Sequence, residues 1–180
     1  MKKIAYLLML PLTLLFTRCD TGGREDGEEN GTEETVDLGR VEELDLNEYG
    51  FPLVISVPKA GDIDSSYIIE ELAWGALEIR VGLNFAVQIS GGDGDMGMAK
   101  EDIAMDDVYE ATYVVDEPDA ILYAWALKGM DMEPEYRFFV IKMDGANAYE
   151  IRSIVDEGFS EGAATRMFNI AKAIKVQPAS

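Results

Sequence analysis

Leu77-Glu78-Ile79-Arg80-Val81-Gly82-Leu83-Asn84-Phe85-Ala86-Val87-Gln88-Ile89 is the stretch on which the fold turns. Leu77, Ile79 and Val81 alternate with Glu78 and Arg80. Phe85, Val87 and Ile89 alternate with Ala86 and Gln88 after the break at Gly82-Leu83-Asn84. Successive side chains of a strand point to opposite faces, so the pattern predicts a hairpin with one face turned to a core and the other to water. An antiparallel sheet is the expected centre of the fold.

Upstream, residues 51–57 (FPLVISV) place Phe51, Leu53, Ile55 and Val57 on one face at the same period, with Pro52 marking a strand start or an edge. Residues 64–74 read two ways: Ile68, Ile69 and Leu72 fit a helix turn, and Tyr67-Ile68-Ile69 fits a strand. Downstream, residues 91–97 (GGDGDMG) predict a flexible loop, and residues 100–112, carrying Ala104, Val108 and Ala111, predict a helix. Glu117-Pro118-Asp119 breaks the chain. Residues 120–127 (AILYAWAL) are apolar on both faces and rich in β-formers, which predicts a central strand covered on both sides. Residues 136–143 and 149–155 flank Asp144-Gly145-Ala146-Asn147, a hairpin turn. Ser160 is placed to cap a last helix whose stripe is Ala164, Met167, Phe168, Ala171 and Ile174, with Lys172 and Lys175 near the negative end of its dipole.

Strands, helix, strands, helix, without regular βαβ alternation, predict an α+β domain in which helices pack on an antiparallel sheet. From Tyr49 to Ile174 this order resembles the PsbP-like class of α/β/α sandwiches. That resemblance implies a scaffold used for docking to other proteins.

The N-terminus carries an address. Met1-Lys2-Lys3 is positively charged, residues 4–16 (IAYLLMLPLTLLF) are apolar, and Thr17-Arg18-Cys19 follows, the layout of an export signal over residues 1–18. As a helix the apolar run reaches about 20 Å, against roughly 30 Å for a hydrocarbon core. Cys19 directly after it resembles the lipobox of bacterial lipoproteins, with Arg18 where that pattern has a small residue. The resemblance implies lipidation of Cys19 and anchoring to a membrane outside the cytoplasm, on the periplasmic side or at the cell surface. Residues 19–43 are then an acidic tether too poor in apolar side chains to fold, and residues 44–176 the domain. Acidic residues right after the cysteine also resemble the surface-export signal of lipoproteins in some diderm bacteria.

Composition excludes more than it suggests. Of the 15 basic residues, Lys2, Lys3 and Arg18 precede Cys19 and none of the 35 acidic ones does; a net charge of −20 for the whole chain therefore becomes −23 from Cys19 onward. Such a field repels nucleic acid. The single cysteine leaves no internal disulfide, and the absence of histidine removes the usual general base and the commonest metal ligand.

Asp93 and Asp95, with Glu101 and Asp102 nearby, are oxygen ligands of the kind calcium takes, but an EF-hand count from Asp93 meets Ala104 where glutamate belongs. Met96-Gly97-Met98 and Met130-Asp131-Met132 offer thioethers that suit core filling or a soft surface better than copper without histidine. The Ser-x-x-Lys and Gly-x-Ser-x-Gly spacings occur once each, at Ser56-Val57-Pro58-Lys59 and Gly158-Phe159-Ser160-Glu161-Gly162, but a nucleophilic serine needs a base and no histidine is present to supply the usual one; the glycine-rich run lacks the Lys-Ser/Thr of a phosphate loop. Tyr123, Trp125, Tyr136, Phe138 and Phe139 sit on strands, where aromatic rings fill cores more often than grooves. The expected function is an envelope lipoprotein that binds a protein partner or assists assembly. A calcium-binding protein using the acidic loop and a hydrolase using paired carboxylates are the alternatives.

Overall fold

The computed structural model describes residues 40–59 and 67–177. The leader, Cys19 and the acidic segment as far as residue 39 lie outside the described residues. The expected hairpin is present: β4 (Leu77–Val81) and β5 (Ala86–Gly92) pair antiparallel, with Leu77 opposite Ile89 and Ile79 opposite Val87. Tyr67–Glu71 forms β3 on the outer side of β4, which resolves the ambiguous stretch as a strand. Beyond β5 the chain forms α1 (Met96–Ala104), then β6 (Tyr109–Asp116), β7 (Ala120–Leu127), β8 (Glu135–Asp144) and β9 (Asn147–Ser153). The seven strands make one antiparallel sheet in the order β3-β4-β5-β9-β8-β7-β6.

A second, three-stranded sheet has β1 (Val41–Asp45) and β10 (Lys175–Val176) on either side of β2 (Leu53–Pro58). β1 begins inside the stretch expected as tether. α2 (Glu161–Lys172) precedes β10, and the Ser160 side chain accepts from the Ala163 N–H as its cap. The main core lies on one face of the large sheet. There Leu77, Ile79, Val87, Ile89, Ile151, Val140, Leu122 and Phe138 meet Ala164, Met167, Phe168 and Ala171 of α2 and the Leu53, Ile55 and Val57 face of β2. The Phe138 and Phe168 rings contact edge to face at 6.4 Å between centroids. Each such side chain removed from water contributes roughly 1.5–3 kcal/mol.

The fold class differs from the expected α+β, PsbP-like α/β/α sandwich. Strands hold 49% of the described residues against 18% in helices, and the architecture is two antiparallel sheets with two α-helices. One cause lies in residues 105–116. The Asp106 carboxylate accepts from the N–H groups of Val108 and Tyr109, turning the chain, and Tyr109, Ala111 and Tyr113 then alternate with Glu110 and Thr112 as strand β6. Ala104, Val108 and Ala111 share no helix. The other cause is that the layer over the main core is one helix beside the small sheet, where a sandwich of that class needs helices.

α1 starts four residues earlier than the pattern predicts, because Asp95 caps it by accepting from Gly97 and Met98 N–H at 2.8 and 3.2 Å. It is the crossover from β5 to β6, four strand positions apart, a span of about 19 Å at roughly 4.8 Å per strand. A nine-residue helix covers about 13 Å of it. The helix therefore lies across the second face of the large sheet, over β7 and β8, where Met96 joins Ile121, Tyr123, Trp125, Phe139 and Ile141 in a smaller apolar cluster. β7 is buried on both faces as expected, although it stands second from the sheet edge.

Candidate ligand cleft

The second face of the sheet departs from the expected wet surface. Glu78 and Gln88 are only 8% and 6% exposed. Register aligns Glu78, Gln88, Arg152 and Phe139 in one row across β4, β5, β9 and β8. Arg152 Nε donates to Gln88 Oε1 at 2.7 Å, Gln88 Nε2 donates to Glu78 Oε1 at 3.0 Å, and Arg80 donates to Glu78 at 2.7 Å and to Glu157.

Where this polar row runs under the edge of α1, a cleft of about 690 Å³ opens. Its floor includes Arg137, Phe139 and Arg152; Met98, Ala99, Asp102 and Ile103 of α1 form a wall; and Asp93, Asp95, Asp106 and Glu150 stand around it. The bare backbone of Gly92 on β5 lets the Glu150 side chain lie across it: a Cβ there would come 2.0 Å from Glu150 Oε1 and displace that side chain.

The two arginines are held differently. Arg137 lies over the Trp125 ring, 5.3 Å from its centroid, and Tyr109 stacks on the same ring at 5.4 Å and 9°. β7 runs between β6 and β8, so the phenol and the guanidinium approach Trp125 from opposite sides. The Arg137 side chain is 16% exposed, its one ion pair is a long 3.5 Å contact to Glu135, and its Nε is buried without an acceptor among the described residues. Arg152 has Gln88, a neutral amide, as its hydrogen-bond partner, and among the described residues no carboxylate forms an ion pair with it.

Burial pushes the Tyr123 phenol up to about 12, and Arg137 and Arg152 both pull against that shift, so the two guanidinium groups lie within electrostatic reach of its hydroxyl. The Asp106 carboxyl is held below its ordinary range, first by the Tyr109 and Val108 N–H groups and then by Lys128 and Arg137.

Of the residues singled out from sequence, Asp93 and Asp95 border the cleft, and Asp95 has one carboxylate oxygen engaged in capping α1. Among the described residues no group of three or more acidic side chains is placed to hold a metal ion. Tyr123, Trp125 and Phe139 come together at the cleft; Phe138 borders it while its ring packs on α2, and Tyr136 belongs to the main core. Met96 is buried under α1, Met98 borders the cleft, and Met130 and Met132 are exposed.

Arg137 and Arg152 were not legible as site residues, because each fits the polar half of an alternating strand. The signal for them was cross-strand: Glu78, Gln88 and Arg152 carry hydrogen-bonding groups of complementary sense, and become one network once their strands pair.

No protein-family model and no curated protein matches the chain. The cleft therefore carries the functional argument by its own chemistry.

Proposed function

We propose that this chain is a non-enzymatic binding module of the cell envelope, exported by its leader and tethered to a membrane through Cys19. The docking role expected from the sequence then falls on the cleft under α1, which takes a small ligand bearing an anionic group. Arg152 carries this reading. In a chain of net charge −20, a guanidinium that borders a cleft and has a neutral amide as its hydrogen-bond partner among the described residues is a cation available to an incoming anion. The cleft volume falls within the roughly 300–1,000 Å³ of small-molecule sites.

Two measurements test the two halves. Mass spectrometry of the mature N-terminus shows a lipidated Cys19 if the tether is right, and an unmodified or missing Cys19 removes it. Thermal unfolding of the full chain in acetate or phosphate, compared with chloride at equal ionic strength, shows stabilisation if the cleft binds oxyanions, since a ligand at about 100 times its Kd adds about 2.7 kcal/mol. The stabilisation disappears in Arg152→Gln; an unmoved melting temperature in every oxyanion would end the proposal.

A further inference from the structure

We infer that the ligand is a small monocarboxylate with an apolar body, and that the acidic surround of the cleft selects against dianions. This inference rests on the anion-binding reading of the cleft.

The receptor geometry comes first. Arg152 stands opposite Phe139 in the β8–β9 register, and Arg137 lies two residues before Phe139 on β8, so the two guanidinium groups are diagonal neighbours on one face. Diagonal neighbours on adjacent strands are within reach of long side chains, and one planar carboxylate can accept from both. Each arginine is also oriented before any ligand arrives, Arg137 by the Trp125 ring and Arg152 by Gln88 through Nε, which leaves the terminal nitrogens of Arg152 facing outward from that bond. Preorganised donors lose less entropy on binding than mobile ones.

Charge then narrows the class. Asp93, Asp95, Asp102, Asp106 and Glu150 border the same cleft, so two guanidinium groups face five carboxylates, of which Asp95 and Asp106 also accept from backbone N–H groups. A single negative charge can sit directly against the two guanidinium groups, whereas a second one has only the surrounding carboxylates, which outnumber the arginines, to meet. Phosphate monoesters, inorganic phosphate and polyanions are thereby disfavoured relative to a carboxylate.

The apolar part has a place as well. Trp125 is occupied on both sides by Tyr109 and Arg137 and offers no free face for stacking. Phe139, Ile103 and Met98 line the remainder, and Met98 is an exposed, deformable thioether chain that can close over a ring or a short alkyl chain.

The experiment uses the full chain carrying Trp74→Phe, which removes an exposed tryptophan and leaves Trp125, under Arg137, as the only fluorescent indole. Benzoate, hexanoate, acetate, inorganic phosphate and benzamide are titrated separately. Benzoate or hexanoate binds about tenfold or more tighter than acetate, because the body adds buried apolar area. Phosphate binds more weakly than acetate, and benzamide, which lacks the charge, does not bind. Arg152→Gln weakens benzoate roughly ten- to a hundredfold, as expected for loss of a hydrogen bond to a charged group. Arg152→Lys, which keeps the charge, recovers part of the loss and separates recognition from misfolding. Asp93→Asn with Asp102→Asn, both exposed, strengthens phosphate binding by a larger factor than benzoate binding, because the second phosphate charge meets them most directly. Phosphate binding as tightly as benzoate, or benzamide matching it, overturns the monocarboxylate assignment while the binding-module reading stands or is recast as uncharged recognition. No response to any of the five overturns both.

Discussion

Gln88 and Arg152 are joined by a 2.7 Å hydrogen bond from Nε to Oε1, and the same amide donates to Glu78 at 3.0 Å, so one neutral side chain links a cation and an anion on three adjacent strands. Gln88→Ala removes both bonds at once. Glu78 is 8% exposed and keeps Arg80 as its hydrogen-bond partner among the described residues, so the substitution is expected to cost about 1–3 kcal/mol in urea unfolding. It also frees Arg152 to change rotamer, so oxyanion stabilisation falls with it. A Gln88→Ala protein as stable as wild type, with undiminished anion response, would show that Gln88 is only a neighbour.

Tyr123 gives a pH signature. Its folded pKa of about 12 exceeds the ordinary 10, so the folded state holds the phenolic proton more tightly than the unfolded chain. Stability from this source is complete below pH 10 and is lost as pH rises toward 12, in total on the order of 2–3 kcal/mol. Tyr123→Phe keeps the ring and removes the proton, so its stability curve is flatter across that window. Equal slopes for the two proteins would show that the phenol is not held as described.

The cap on α1 controls the cleft wall. Asp95→Ala leaves the Gly97 and Met98 N–H groups without their acceptor and is expected to cost about 0.5–2 kcal/mol, whereas Asp95→Asn keeps the oxygen and most of the stability. Amide hydrogen exchange should quicken at Met96–Ala104 and leave α2 unchanged. Uniform acceleration over both helices would place the effect elsewhere.

The main core depends on Phe138. It is buried against α2 through Phe168, so Phe138→Ala is expected to cost about 3–5 kcal/mol, a large share of the roughly 5–15 kcal/mol that a domain has. Leu83→Ala, at a hairpin tip 93% exposed, should stay within about 0.5 kcal/mol. Comparable losses at both positions would contradict the packing described for the large sheet.

Period-two patterns were legible in β2 and in the β4–β5 hairpin, but the equally regular alternation of β6 was read as the end of a helix. Phe51, Leu53, Ile55 and Val57 all lie in the main core, and the α2 stripe of Ala164, Met167, Phe168 and Ala171 is buried as its 3.6-residue spacing predicts. The reading failed where side-chain hydrogen bonds decide backbone course. Asp95 and Asp106, two ordinary acidic residues in a chain rich in them, start α1 and turn into β6, and neither role shows in an apolar pattern. The α+β expectation failed with them, since a helix carried to residue 112 removes half of an eight-residue strand.

By itself the sequence determined most of the strands, the closing helix and a strongly negative net charge, because these follow from local periodicity and composition. The cleft was decided only by tertiary structure. Strand order sets β9 between β5 and β8, register then aligns Gln88 with Arg152 and Arg152 with Phe139, and the crossover helix roofs that row. Residues as far apart as Glu78, Asp102, Trp125, Arg137 and Arg152 become neighbours through pairing across the sheet, a long-range outcome that no window of sequence contains.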